Sequence, residues 1–334
     1  MSQSYRDAGV DLAAAEQHVG RIAPLVTATW YPSVVGGFGG FAAGIELPPG
    51  YDRPVLMLST DGVGTKLEIA RRTGRWDGVG FDLVAMCVDD LVAAGARPLA
   101  FVDYLAVGSL DPDRDTRIVA GIASACREAG CALLGGETAE HPGVMDPGHV
   151  DLAGAALGVV ERGRELDGAA IRPGDIIIGL PSPNLRSNGF SLVRKILEDV
   201  DLESTFPGED ASFGEVLLRP SVLYSPSVIP VTELVKAGVH VTGGGLTGNV
   251  VRVLPEGTKA VIDTSTWPSP NVFEQIRRLG ALSFETMAET FNLGIGFCLI
   301  AGPDRAGEVL GALGQAGALA IGKIESGVRD VELI

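Results

Sequence analysis

The chain has 334 residues, enough for about two domains, and carries 42 Asp and Glu against 26 Lys and Arg, a formal charge of -16. Its 46% apolar and 20% charged make-up excludes a wholly disordered chain. The acidic excess disfavours a nucleic-acid binder, which needs a basic face, and no apolar run approaches the roughly 18 residues of a membrane helix. The N-terminus carries charges where a signal peptide needs an apolar stretch, so a cytoplasmic protein is expected. Cys87, Cys126, Cys131 and Cys298 form no Cys-x-x-Cys pair and sit among apolar residues. They read as reduced thiols rather than as zinc ligands or disulfides. Glycine, at 46 of 334 residues, is nearly twice its ordinary share of about 7% and clusters between apolar runs, which suits tight turns and close approach to a ligand.

In chain order, residues 55–59 are short and apolar and read as a strand ending at a turn, Asp61-Gly62. A helix follows from Thr65. Residues 80–95 place Val84, Cys87, Val88, Leu91 and Ala94 on one helical stripe, with Asp82 and Asp89 on another face. Residues 98–107 read as a strand containing Asp103. Asp111-Pro112 reads as an N-cap with proline at the first helical position, opening a helix that ends at Gly130. Residues 131–134 form a strand running into Gly135-Gly136-Glu137, and residues 152–160 form another. The stretch ERGRELDG at 161–168 marks a domain boundary, giving domains 1–168 and 169–334. The alternation then restarts, with strands at 175–180, 239–242, 259–263, 295–300 and 318–324. Helices fall at 187–198, from about Leu246, near 271–279 and at 304–315. The pattern predicts an α/β (α+β) class, two mixed α/β domains packed on each other.

Three glycine-rich segments are candidates for phosphate binding. Gly36-Gly37-Phe38-Gly39-Gly40-Phe41 suits a flap whose backbone N–H groups close over phosphates, with Gly37, Gly39 and Gly40 at its centre. Asp61-Gly62-Val63-Gly64-Thr65-Lys66 lies between a strand and a helix, yet has neither Walker A nor G-x-G-x-x-G spacing. Thr242-Gly243-Gly244-Gly245 precedes another helix, whose N-terminal N–H groups favour anions. Asp61, Asp82, Asp89, Asp90, Asp103 and Glu137 supply carboxylates, and Mg²⁺ takes one or two of these plus substrate phosphates. A solvated acidic face is the competing reading for each. His240, directly before the third glycine segment, could donate to a phosphate or act as acid or base. No G-x-S-x-G elbow is present, so nucleophilic hydrolysis has no support.

In order and spacing, SYRDAGVD at 4–11, GGFGGF at 36–41, STDGVGTKL at 59–67 and GFDLVAMCVDDLV at 80–92 resemble the motifs of the phosphoribosylformylglycinamidine cyclo-ligases. GGETAEHPG at 135–143, SNGFSLVRKIL at 187–197, HVTGGG at 240–245 and TFNLGIG at 290–296 extend the resemblance. It covers most of the chain. DGVGTK occurs across a wider group of ATP-using synthetases, whereas SYRDAGVD, MCVDDLV and GGETAE are more specific.

The resemblance implies a homodimer whose N-terminal domains pair through their sheets, with ATP and a small nucleotide substrate in a cleft between domains. It implies ATP- and Mg²⁺-dependent closure of an imidazole ring in purine biosynthesis, through an imidate phosphate. By motif, Asp61, Asp90 and Glu137 would be metal or substrate ligands and Lys66 would neutralise a phosphate. Gly62, Gly64 and Thr65 would bind nucleotide, Gly243 to Gly245 would meet phosphates with His240 beside them, and residues 36–41 would form the flap. A K⁺ requirement stays open.

The chain departs from the family pattern at two notable places. Asp89 stands where Asn is usual, and Arg186 where His is usual before Ser-Asn-Gly. Arginine cannot act as a base near neutral pH but can clamp a phosphate. A non-catalytic nucleotide-binding paralogue therefore stays open beside the enzyme. So does another synthetase or kinase of the same superfamily, such as a thiamine-monophosphate kinase. A selenophosphate synthetase is disfavoured because the first cysteine is Cys87.

Overall fold

The computed structural model describes residues 12–334; the SYRDAGVD motif lies outside the described residues. In the first half the elements are α1 (Leu12–Thr27), β1 (Val34–Val35), β2 (Gly44–Ile45), β3 (Pro54–Gly62), α2 (Lys66–Thr73) and α3 (Val79–Ala93). They continue with β4 (Arg97–Val107), α4 (Pro112–Ala129), β5 (Ala132–Glu140) and β6 (Val150–Glu161). The second half holds β7 (Ile176–Pro181), α5 (Phe190–Ile196), α6 (Phe213–Leu217), α7 (Ser225–Val228), β8 (Ala237–His240), α8 (Gly245–Val250) and β9 (Thr258–Ile262). It ends with α9 (Asn271–Leu279), α10 (Phe284–Thr290), β10 (Ile295–Ala301), α11 (Ala306–Ala312), β11 (Leu319–Ser326) and β12 (Asp330–Leu333). The fold is mixed α/β, as the alternation predicts.

The first half builds a four-stranded sheet in the order β3-β6-β4-β5, antiparallel except for the β4–β5 pair. That parallel pair is joined through α4, because a hairpin cannot connect parallel strands. Asp111 caps α4 as expected, its side chain accepting from the N–H groups of Asp113 and Arg114, and Gly130 closes it at φ 69°. The second half builds a six-stranded sheet, β12-β9-β11-β7-β10-β8, in which only β12–β9 is parallel.

One hydrophobic cluster joins the halves. Ile69 and Leu83 from the first half pack with Phe190, Phe206, Phe273 and Phe291 from the second. The other face of the four-stranded sheet is open: Leu56, Leu58, Val102 and Tyr104 are 54%, 79%, 43% and 43% exposed. All four cysteines are free and buried.

Two of the boundaries that differ from the sequence reading bear on the site. β3 runs through Asp61 and Gly62, which pair with Gly154 and Ala153, so the turn comes after them. The helix expected from Ser187 starts only at Phe190, because Arg186 (φ 59°) and Gly189 (φ 78°) take left-handed backbone and make residues 186–189 a turn.

Candidate active site

Helix α3 is buried along nearly its whole length, so Asp82 and Asp89 do not form the solvated face that the sequence also allowed. Asp82 and Asp89 are fully buried and reach into the second half. Asp82 Oδ1 accepts from the backbone N–H and hydroxyl of Ser221, at 2.8 and 2.6 Å. Asp89 Oδ1 accepts from the N–H groups of Tyr224 and Ser225, at 3.0 and 3.1 Å. A carboxylate can be buried only where it is paired and hydrogen-bonded, and each of these is.

The partner of Asp82 is Lys66. Its Nζ lies 2.6 Å from Asp82 Oδ2, both side chains fully buried, and donates to the carbonyls of Arg186 and Arg219 at 3.0 Å each. Burial pulls the ammonium below its ordinary pKa, with Asp82 working against that shift. Lys66 therefore does not face the cleft, which corrects the expectation that it neutralises a phosphate. Its three acceptors tie α2 to α3 and to two turns of the second half. The neighbouring Gly64 and Thr65 are exposed and line a cavity of about 280 Å³ with Arg71 and Arg194. Thr65 and Ser191 approach through their hydroxyls, 3.1 Å apart.

The next residue of α3, Asp90, is 46% exposed and lines a cleft of about 420 Å³ between the halves with Ser59, His240, Asn249 and Arg252. His240 Nδ1 lies 2.9 Å from Asp90 Oδ1, and His240 Nε2 lies 2.9 Å from Arg186 Nη2. Arg186 is fully buried: Nη2 also donates to Asp89 Oδ2 at 2.9 Å, Nη1 donates to the Val222 carbonyl, and the guanidinium stacks on Tyr224, 4.7 Å from the ring centre. Burial pulls its pKa down, but Tyr224 and Asp89 more than restore it, so the group stays charged. Arg186 thus cannot clamp a phosphate in the cleft, and His240 has both ring nitrogens engaged. The expected roles of phosphate clamp and free acid or base do not fit these two residues.

Asp61 projects from β3 on the side facing α3, its Oδ1 accepting from the Gly62 N–H at 2.7 Å. Burial raises its pKa, and the like charge of Asp90 adds to the rise. Burial also pushes Asp90 up, but hydrogen bonding by His240 leads the opposing effects, and the net shift is down. The charge of Asp90 adds to the cost of ionising Asp61, a cost that a divalent cation bound there would relieve.

Glu137 is not part of that set. On β5 it pairs with Tyr104, whereas Asp103 pairs with Gly136 on one side and Gly154 on the other, and Gly154 pairs with Asp61. Glu137 therefore points to the opposite face from Asp61, on the far edge strand. The cause is an extra residue in β5 near Leu134, where the register with β4 shifts, and a shift of one residue flips every later side chain. Among the described residues, no cluster of three or more His, Cys, Asp or Glu is placed to hold a metal. Asp61 and Asp90 fit Mg²⁺ as a two-carboxylate site completed by phosphate oxygens; the three-carboxylate set does not fit within one chain.

The glycine segments divide between two places. Gly243 and Gly244 are exposed, and a Cβ on Gly243 would lie 3.8 Å from Asn188 Oδ1, so this turn neighbours the 186–189 turn. Asn249, which the sequence reading missed, fixes it: its Nδ2 donates to the carbonyls of Thr242, Gly243 and Gly245. Only tertiary proximity reveals that role. Gly245 has no freedom, since a Cβ there would come 1.9 Å from the Ala288 carbonyl oxygen. The flap segment lies elsewhere. Gly37, Gly39 and Gly40 line a cavity of about 770 Å³ beside β5, with Asp103 and Glu137. Within one chain the flap is thus beside Glu137 and apart from Asp90.

Residues 42–160 match the AIR synthase related protein N-terminal domain, and residues 172–333 match the corresponding C-terminal domain. A phosphoribosylformylglycinamidine cyclo-ligase of Myxococcus xanthus is 45% identical, the alignment covering 100% of this chain and 99% of the relative. One of Desulfitobacterium hafniense is 48% identical over 91% of each. Among solved structures, a thiamine-monophosphate kinase from Stenotrophomonas maltophilia superposes with a TM-score of 0.67 at 19% identity, covering 97% of this chain and 96% of that one. The hydrogenase maturation protein HypE in complex with ATP gives 0.67 at 21%, covering 96% and 89%. These two share the fold. Among the described residues no helix is long and apolar enough to cross a membrane. The matches to both domains and the full-length identity show that the chain belongs to the phosphoribosylformylglycinamidine cyclo-ligase family.

Proposed function

We propose that the chain closes the imidazole ring of 5-aminoimidazole ribonucleotide from formylglycinamidine ribonucleotide, at the expense of ATP. The observation that carries this reading is the cleft at the junction of the halves, where Asp90 lies 3.4 Å from Ser59 of β3, the strand that carries Asp61, and Asn249 ties the wall to the exposed glycine turn at Gly243. Asp61 and Asp90 would hold Mg²⁺, which would supply positive charge to the phosphates. The backbone of Gly64, Thr65, Gly243 and Gly244 offers N–H donors to phosphoryl oxygens, and Arg71 and Arg194 are cations beside the first of these turns.

The chemistry follows from the substrate. The formyl amide oxygen attacks the γ-phosphate and releases ADP. The imidate phosphate so formed has a leaving group that an amide lacks. A nitrogen of the same molecule then attacks that carbon, and phosphate departs with the former formyl oxygen. The second step gains from having its nucleophile already in the molecule, and the cleft need only hold the two ends together.

A homodimer formed through the N-terminal sheets belongs to the same proposal. The exposed row of Leu56, Leu58, Val102 and Tyr104 supports it, because an apolar sheet face of this kind is expected to be covered. The domain boundary is placed at residue 168, a cytoplasmic location is proposed, and nucleic acid has no place in this account.

The test is phosphate release by purified protein with ATP, Mg²⁺ and formylglycinamidine ribonucleotide, with Asp61→Asn as the control. Substrate-dependent release that the variant abolishes supports the reading. ATP binding without release would favour a binding paralogue. Adding K⁺ to the same assay decides whether a monovalent cation is needed.

A further inference from the structure

Four side chains, Asp89, Arg186, His240 and Asp90, close a ring across the junction of the halves. Asp89 and Asp90 are consecutive on α3, Arg186 comes from a turn of the second half, and His240 ends β8. We propose that Arg186, anchored by Asp89, is a positioning residue that fixes the tautomer of His240 and thereby holds the Asp90 carboxylate at the cleft wall.

The argument starts from donors and acceptors. A guanidinium carries only N–H donors, so at 2.9 Å from Arg186 Nη2 the Nε2 of His240 must accept. A neutral imidazole that accepts at Nε2 carries its proton on Nδ1. That Nδ1–H then donates to Asp90 Oδ1 at 2.9 Å, while Asp90 Oδ2 lies 3.4 Å from Ser59 Oγ. One oxygen of Asp90 is fixed by the ring, and the carboxylate as a whole stays 46% exposed to the cleft. The imidazole is itself held, its side chain only 2% exposed and stacked on Phe297 at 6.3 Å.

Arg186 can take this place only because Asp89 is there. The two side chains are both fully buried and form the one carboxylate–guanidinium contact of the ring. They are also two of the positions at which the motifs depart from the pattern they resemble, and the structure puts them in contact: the negative charge at 89 meets the positive charge at 186. The turn accepts a cost to hold Arg186, whose φ of 59° is unusual for a residue with a long side chain. Asn184 Oδ1 accepts from its backbone N–H at 3.0 Å and stabilises that conformation. The arrangement resembles a carboxylate–histidine support of a ligand, in which the outer group sets how the inner one points.

The test uses full-length protein labelled with ¹⁵N-histidine, the His240 signals being assigned by their loss in His240→Gln. The wild type should show Nδ1 protonated and Nε2 unprotonated. Asp89→Asn combined with Arg186→Met removes both buried charges together, so neither is stranded. Melting temperature and circular dichroism establish that this variant folds. It should leave His240 Nε2 without its donor, so that the form with Nδ1 protonated and Nε2 unprotonated is no longer the only one seen, and lower kcat for substrate-dependent phosphate release by about 10- to 100-fold, the usual effect of losing such a support. Arg186→Lys keeps a cationic donor and should retain the wild-type tautomer. A protonated Nε2 in the wild type overturns the proposal, as does an unchanged tautomer and kcat in the paired variant. The kcat readout rests on the ring-closure reading. Wild-type protein with the stated tautomer but no substrate-dependent release would refute that reading and leave the positioning role standing.

Discussion

Lys66→Met separates a lysine that serves the fold from one that serves the nucleotide. In the structure the side chain is fully buried, ion-paired with Asp82 and bonded to two carbonyls. Methionine fills a similar volume but leaves the Asp82 carboxylate buried without its cation. Stranding one member of a buried pair costs about 3–5 kcal/mol. At roughly 2 °C per kcal/mol for a chain of this size, the melting temperature should fall by about 6–10 °C. Adding Asp82→Asn removes the stranded charge and keeps an oxygen for the two Ser221 donors, so the double variant should recover about half of the loss or more. Differential scanning calorimetry of wild type, single and double variants reads all three values, and calorimetric titration with ATP reads affinity on the same samples. An unchanged melting temperature in Lys66→Met, together with an ATP affinity weakened about tenfold or more, would refute the reasoning. That result would put the ammonium on a phosphate.

Three further outcomes follow. Gly245→Ala should destabilise strongly, because its Cβ would meet the Ala288 carbonyl at 1.9 Å, whereas Gly243→Ala meets only Asn188 Oδ1 at an ordinary 3.8 Å and should melt like the wild type while weakening nucleotide binding; parallel melting and titration of the two check this. Burial raises Asp103 from its ordinary 3.8 to about 7, so the folded state holds that proton more tightly than the unfolded chain does and loses stability as pH climbs from about 4 to about 7, with no further loss above. Asp103→Asn removes that dependence, and its melting temperature relative to wild type should rise across the same window and then level. Leu58→Glu places a charge on the open face of the four-stranded sheet, where the wild-type side chain is 79% exposed, and should halve the mass seen by light scattering without lowering the stability of the separated chain.

Local chemistry was legible in the sequence. The Asp111-Pro112 cap, the stop at Gly130 and the short apolar strand at residues 55–59 depend on neighbours in the chain, and the structure bears them out. What depends on distant packing was not. Asp82 and Asp89 share a helix face that looks solvated until residues 219–225 close over it. Lys66 follows a phosphate-like turn, yet the start of α2 turns its side chain inward to Asp82. Glu137 would share the face of Asp103 but for one extra residue in β5, a shift that no pattern in the strand announces. Asp61 and Asp90 come from elements that pack together, β3 and α3, and Ser59, two residues before Asp61 on the same side of its strand, lies 3.4 Å from Asp90 Oδ2.

The central claim is that phosphate leaves the substrate carrying the formyl oxygen. Formylglycinamidine ribonucleotide labelled with ¹⁸O at that oxygen, turned over with ATP and Mg²⁺, tests it by mass spectrometry of the inorganic phosphate. One ¹⁸O in each phosphate released, matched by one 5-aminoimidazole ribonucleotide formed, is the predicted result. Unlabelled phosphate, with the label in water or retained on the nucleotide, would contradict it.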